Sequence, residues 1–343
     1  MHAMTASLRL VFPPISNQHA DWLVEDTAAR QRLDQANIYM IAARAQIAFR
    51  NVVFDDATAV MSFDIGFSDL NIPARIYVRD LIEELSANTT GGVDIRGGEG
   101  YIQFADNLDN GTMQVLAWYT PDKFLFDVWR GYRFVEMDGD HRQLARYELL
   151  YIGMSQDSAF RRLVEKPHHA RLKILTNELV RGAEGRLSEE LFFFLFDVEP
   201  LFISTYGEED EIDDIAVEMM MDPSKRIPNA ALIEDAEKAF IKMLNTPYNK
   251  RRYPNAPAVA NGLSETVLER YGYSIAEVVA FTLEGLEFVG GYAEGLPCSN
   301  EADFIFVDGQ TASFVDISEK RLTEMDGPAD EGEGDPGDAI HES

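Results

Sequence analysis

Six consecutive apolar residues, Leu191–Phe196 (LFFFLF), constrain the fold more than any other feature. A strand with one wet face alternates apolar and polar residues, whereas a run without alternation is hidden on both faces. The segment "SEELFFFLFDV" therefore predicts a strand buried on both faces. It is also the longest apolar run of the chain. It is far too short to cross a bilayer, which takes about 20 such residues.

Elements of other kinds surround this run between residues 126 and 255. "FDVWRGYRFVEMD" is aromatic and reads as extended, "GDHRQ" as a turn, and "LARYELLYIG" as a second extended run, so a hairpin is predicted. "MSQDSAFRRLVEKPHHARLKILTNELVRG" is mostly helical apart from Pro167, with Ser155 and Asp157 as candidate N-caps and Gly182 as a stop. After the apolar strand, "ALIEDAEKAFIKMLNTPYN" is a helix with Leu232, Ala236, Ala239, Phe240 and Met243 on one face, ending before Pro247. The order is strand, strand, helix, strand, helix.

The flanks, 1–125 and 256–322, read as β-rich. "AVMSFDIGF", "RIYVRD", "GYIQFADNLDNGTMQVLAWYT" and "ADFIFVDGQTASFVDIS" carry strand and turn patterns, while 28–49 shows near-helical spacing of Ile38, Ile41 and Ala45. From Thr323 onward Gly, Pro, Asp and Glu dominate, which predicts a disordered acidic tail over 323–343. The single cysteine, Cys298, excludes an internal disulfide and a cysteine-cluster metal site. With no apolar stretch of signal-peptide length at the N-terminus, a cytoplasmic protein away from the membrane is expected.

Charge points away from nucleic acid at first. Thirty Lys and Arg against 59 Asp and Glu give −29. The runs 207–218 and 324–343 hold seven and eight acids and no base, and removing those fifteen still leaves −14. Composition alone therefore supplies no phosphate-driven affinity. Residues 126–176 are the exception: nine Lys and Arg against seven Asp and Glu leave them at +2.

Within this basic stretch, "YIG" at 151–153 is followed by Arg161 and Arg162, and "EKAFIKMLNTPYN" ends in Pro247, Tyr248 and Asn249. This ordered set resembles the GIY-YIG nuclease family over about a third of the chain. The resemblance implies a phosphodiester hydrolase in which Tyr151 is a catalytic tyrosine, Arg161 the phosphate-binding fork and Glu237 the ligand of one divalent cation, Mg²⁺ or Mn²⁺. A histidine in this neighbourhood often assists catalysis in relatives, so His169 is a candidate proton carrier and His168 lies beside it. Arg162, His168, Asn249, Lys250 and Arg251 are candidate contacts to substrate. The family's first triplet, Gly-(Ile/Val)-Tyr, is absent as such; the nearest match is "RGYRF", which nominates Tyr132.

The expected class is α+β: a small GIY-YIG-like mixed sheet with flanking helices at 126–255, and β-rich flanks able to pack together as a second domain. The expected activity is metal-dependent cleavage of DNA. Two other readings follow from the missing triplet and the acidic body. One is a catalytically silent GIY-YIG-like fold serving as a binding or scaffold module. The other is an acidic protein that binds basic protein partners.

Overall fold

In the computed structural model, residues 2–85, 93–108, 112–183, 185–206, 214–225, 227–256, 263, 266, 268, 270–296, 299–309 and 311–317 are described. The expectations for the acidic tail, for Cys298 and for most of the 207–218 run lie outside them. Among the described residues no helix is long and apolar enough to cross a membrane.

A single large sheet organises a mixed α+β fold. It contains β1 (His2–Leu10), β2 (Ile15–Ser16), β3 (Ile38–Ala43), β11 (Arg146–Met154), β12 (Leu191–Ser204), β13 (Arg270–Ile275), β14 (Ala280–Leu283), β15 (Leu286–Val289), β16 (Phe304–Asp308) and β17 (Thr311–Val315). The order is β15-β14-β11-β3-β12-β1-β13-β16-β17, with β2 beside β12. Two smaller antiparallel sheets occupy the chain between β3 and β11. One is β10-β6-β5-β4, from β4 (Ala48–Asp55), β5 (Val60–Phe67), β6 (Leu70–Tyr77) and β10 (Val135–Met137). The other is β7 (Val93–Gly98), β8 (Tyr101–Asn107) and β9 (Met113–Tyr119).

The apolar run is the first part of β12, and every residue of it is buried. Phe192, Phe194 and Phe196 enter one core; Leu191, Phe193 and Leu195 enter another on the opposite face. Each large apolar side chain contributes about 1.5–3 kcal/mol when fully buried, so both covering layers are needed to stabilise this strand. β3 divides in the same way, with Ile38, Met40 and Ala42 on one face and Tyr39, Ile41 and Ala43 on the other. The first face is covered by the two smaller sheets, α4 (Pro121–Trp129) and α8 (Asn229–Leu244). The second is covered by α1 (Asn17–Leu23), α2 (Thr27–Leu33), a π-helical turn at Arg161–Glu165 and α5 (His169–Asn177). The remaining helices are α3 (Val78–Glu84), α6 (Leu187–Glu190) and α7 (Asp214–Met221).

Two expected elements differ. The helix expected over 28–49 is α2 followed by the central strand β3, because "IYMIAA" is a second short apolar run buried on both faces, and periodicity does not separate such a strand from a helix. The hairpin expected over 126–153 is instead the end of α4, the short β10 and then β11. Thr120 caps α4 by accepting from the Lys123 N–H at 3.1 Å, and Pro121 supplies the fixed φ of a first helical turn.

The sheet draws on all three segments of the chain. β11 and β12 do not pair with each other; β3 lies between them, antiparallel to both. β1 pairs in parallel with β13, which joins the two flanks. The 126–255 segment thus has no sheet of its own.

Candidate functional site

β11 carries the Tyr-Ile-Gly triplet. Its pairing with β3 slips between Leu149 and Tyr151, so Leu149 stands opposite Ala42 and Tyr151 opposite Ile41. The bulge switches the alternation and turns Tyr151 to the face that holds Tyr39 and Ile41. Gly153 stands opposite Tyr39. A Cβ on Gly153 would lie 2.5 Å from the ζ-carbon and hydroxyl of Tyr39, so the glycine is what lets the two strands place both phenols together. The Tyr39 and Tyr151 ring centroids are 6.0 Å apart.

The tyrosine across from the triplet is therefore Tyr39, not Tyr132. Tyr132 follows α4, stacks on Phe134 at 5.2 Å and is exposed. The signal missed in the sequence is "NIY" at 37–39, which carries the last two residues of the expected first triplet on the strand next to β11.

His168 completes a chain of hydrogen bonds. Its Nδ1 accepts from the Arg171 N–H at 3.0 Å, so the proton of the neutral ring sits on Nε2. Nε2 lies 2.8 Å from the Tyr39 hydroxyl and donates to it. The Tyr39 hydroxyl also acts on Tyr151, favouring the ionised form of Tyr151 and disfavouring its own. Burial, Arg162, Arg171 and the neighbouring His169 push His168 down to about 4, so the ring is neutral near pH 7. Burial raises Tyr151, opposed by the Tyr39 hydrogen bond and by Arg162. Burial raises Tyr39 far more.

Arg161 and Arg162 diverge. Arg161 turns to Asp34, giving Nε and Nη2 bonds to the same carboxylate at 3.1 and 2.6 Å. The Ser158 hydroxyl donates to Asp34 at 2.8 Å, and Arg30 pairs with Glu165 at 2.6 Å. These contacts fasten the π-helical turn to α2. Arg162, the next residue, lines an open cleft of about 600 Å³ with Tyr151, Lys166, His168 and His169. No ion pair of Arg162 is seen among the described residues, and its charge acts on Tyr39, Tyr151, His168 and Glu237. Of the two arginines it is thus Arg162, not Arg161, that lines the cleft. Single-turn π-helices recur at functional sites, and here the turn sends adjacent arginines to different partners.

Glu237 reaches the same place from α8. Its carboxylate accepts from the Met154 N–H at the end of β11, and burial raises it to about 7, opposed by Arg162 and that hydrogen bond. Among the described residues no three His, Cys, Asp or Glu side chains gather as a metal cage. Mg²⁺ keeps several waters and takes one or two carboxylates plus substrate phosphate, so a single carboxylate beside a cleft fits that ion.

Asn249 does not face substrate. Both ends of its amide are engaged with Ile152: Oδ1 accepts from the N–H at 2.9 Å and Nδ2 donates to the carbonyl at 2.8 Å. The Tyr248 N–H also donates to the Leu150 carbonyl at 3.1 Å. Asn245, in the left-handed conformation, ends α8 and directs the chain there. These residues satisfy the edge of β11 where β14 stops pairing at Glu148. Lys250 and Arg251 are exposed just beyond and are not among the residues lining the cleft.

Comparison of the chain with protein-family models, with curated proteins and with solved structures finds no match.

Proposed function

We propose that this protein is a metal-dependent phosphodiesterase that cleaves DNA through a GIY-YIG-like site composed of Tyr39, Tyr151, Arg162, His168 and Glu237. The observation that carries the reading is a cleft lined by Tyr151, Arg162 and a neutral His168, with the buried Tyr39 hydrogen-bonded to His168 behind it and the Glu237 carboxylate within the field of Arg162. Tyr39, in "NIY", also stands in for the tyrosine of the triplet whose absence motivates the silent-fold reading.

In this reading Tyr151 is the general base. It lines the cleft beside the His168–Tyr39 pair, and Tyr39 and Arg162 favour its ionised form, so its oxygen is the one prepared to take a proton from a nucleophilic water. Tyr39 and His168 hold that oxygen in place and stabilise its charged form. Arg162 is the permanently charged fork for the phosphoryl oxygens. Glu237 would hold one divalent cation, which when bound supplies Lewis-acid stabilisation of the phosphate. His169, exposed at the start of α5, stands where it can protonate a leaving oxygen.

The test is cleavage of duplex and single-stranded DNA with Mg²⁺ or Mn²⁺ by wild type, Tyr39→Phe, Tyr151→Phe, Arg162→Ala, Glu237→Gln and Tyr132→Phe. Loss of one transition-state donor lowers turnover by about a hundredfold or more, so Arg162→Ala should fall at least that far. Tyr132→Phe should cut like wild type. No cutting with either metal, or equal cutting by all variants, would sink the reading in favour of a binding module.

A further inference from the structure

A second pocket lies at the other end of α2. Its volume is about 260 Å³, and its lining includes Pro13, Pro14, His19, Arg32, Trp118 and Lys123. Flat rings dominate it. The His19 ring is 5.2 Å from Trp22 and 5.3 Å from Trp118, and Trp22 is 57% exposed although most tryptophans are largely buried. Burial lowers His19, against the pull of Asp122 and Glu189, so it offers an uncharged ring near pH 7.

The cations differ in availability. Lys123 is committed to Asp127 at 2.7 Å and to the Tyr119 ring at 3.7 Å. Arg32 is exposed, and no ion pair of it is seen among the described residues. Asp26 also lines the pocket, but its carboxylate accepts from the Ala29 N–H as the cap of α2. A neutral aromatic slot with one free guanidinium at its edge suits a planar ring attached to an anion.

We infer that this pocket binds an unstacked base of single-stranded nucleic acid, with Arg32 on an adjoining phosphate, and that the strand runs along α2 to the Arg162 cleft. α2 ends at Asp34, the partner of Arg161. Stacking on aromatic side chains is tolerant of sequence and adds to affinity base by base, here beside one phosphate contact from Arg32. The choice of ligand rests on the nuclease reading of the cleft.

The test is binding of a labelled oligodeoxythymidylate to the full chain in EDTA, followed by anisotropy and tryptophan quenching. Trp118→Ala should weaken binding roughly tenfold and Trp118→Phe should restore part of it. Trp22→Ala, which removes the exposed ring beside His19, should weaken it too. Arg32→Ala should reduce the salt slope by about 0.7, the loss of one single-strand phosphate contact. Unchanged binding in both alanine variants at Trp22 and Trp118 overturns the pocket, as does equal affinity for an aromatic peptide without phosphate. Cleavage with Mg²⁺ separates the two readings. Tryptophan-dependent binding without cleavage keeps the pocket and removes the nuclease. Cleavage with the same KM in wild type and both tryptophan variants keeps the nuclease and removes the pocket.

Discussion

Gly153 is the residue on which the placement of the two tyrosines turns. A methyl group there meets the Tyr39 ring at 2.5 Å and the Tyr151 ring at 2.9 Å. Overpacking of this kind costs about 1–3 kcal/mol, so Gly153→Ala should lower the denaturation midpoint accordingly and abolish cleavage by displacing Tyr39. An active Gly153→Ala enzyme would show that the two phenols need not be so close. Glu237 gives a second residue-scale outcome. Its folded value, about 7, lies above its ordinary 4.5, so its contribution to stability is full below about pH 4.5 and is lost as pH rises through about 7. Glu237→Gln keeps no such titration. In metal-free buffer the variant should therefore gain on wild type between about pH 5 and about pH 8 in urea denaturation. Added Mg²⁺ at the upper pH should stabilise wild type alone. Tyr151 and Glu237 were legible in the sequence as an ordered set with Arg161, whereas Arg162 and His168 were legible only as candidate substrate contacts. Tyr39 was not, because nothing local ties "NIY" to a triplet more than a hundred residues downstream.

At the scale of elements, two devices hold the site in shape. The first is the Asn249 clamp on Ile152. Asn249→Ala would leave two buried backbone groups unsatisfied, at about 1–3 kcal/mol for such a group, and hydrogen exchange at Ile152 should accelerate. Unchanged exchange there would argue that water replaces the amide. The second is the fastening of the π-helical turn to α2 through Asp34 and Arg30. Asp34→Ala releases Arg161 into the neighbourhood of Arg162. Turnover should drop about tenfold, since misplacing a catalytic group by an ångström is costly, while the denaturation midpoint moves little because an exposed ion pair contributes little. β12 and α8 were readable from an unbroken apolar run and from apolar spacing closed by Asn-x-Pro. β3 and α4 were not. The first mimics helical spacing, and the second begins with a Thr-Pro start signal hidden by the aromatic residues after it.

For the whole molecule, the order β11-β3-β12 decides what can be separated. A fragment of residues 126–255 lacks β3, so its two long strands have no common neighbour. It should show little β-structure by circular dichroism and bind no Mg²⁺, whereas a folded, cleaving fragment would mean that β11 and β12 can pair directly. The α+β class was legible from the mixture of periods. The topology was not, because local pattern cannot say that a strand will be joined by partners from both ends of the chain. This arrangement also orders events at the ribosome. Tyr39 emerges early, but its strand waits for β11, and Glu237 with the Asn249 clamp comes later still. A chain interrupted at any point before that helix has its phenols without its carboxylate. No product of translation that stops before α8 carries the complete set.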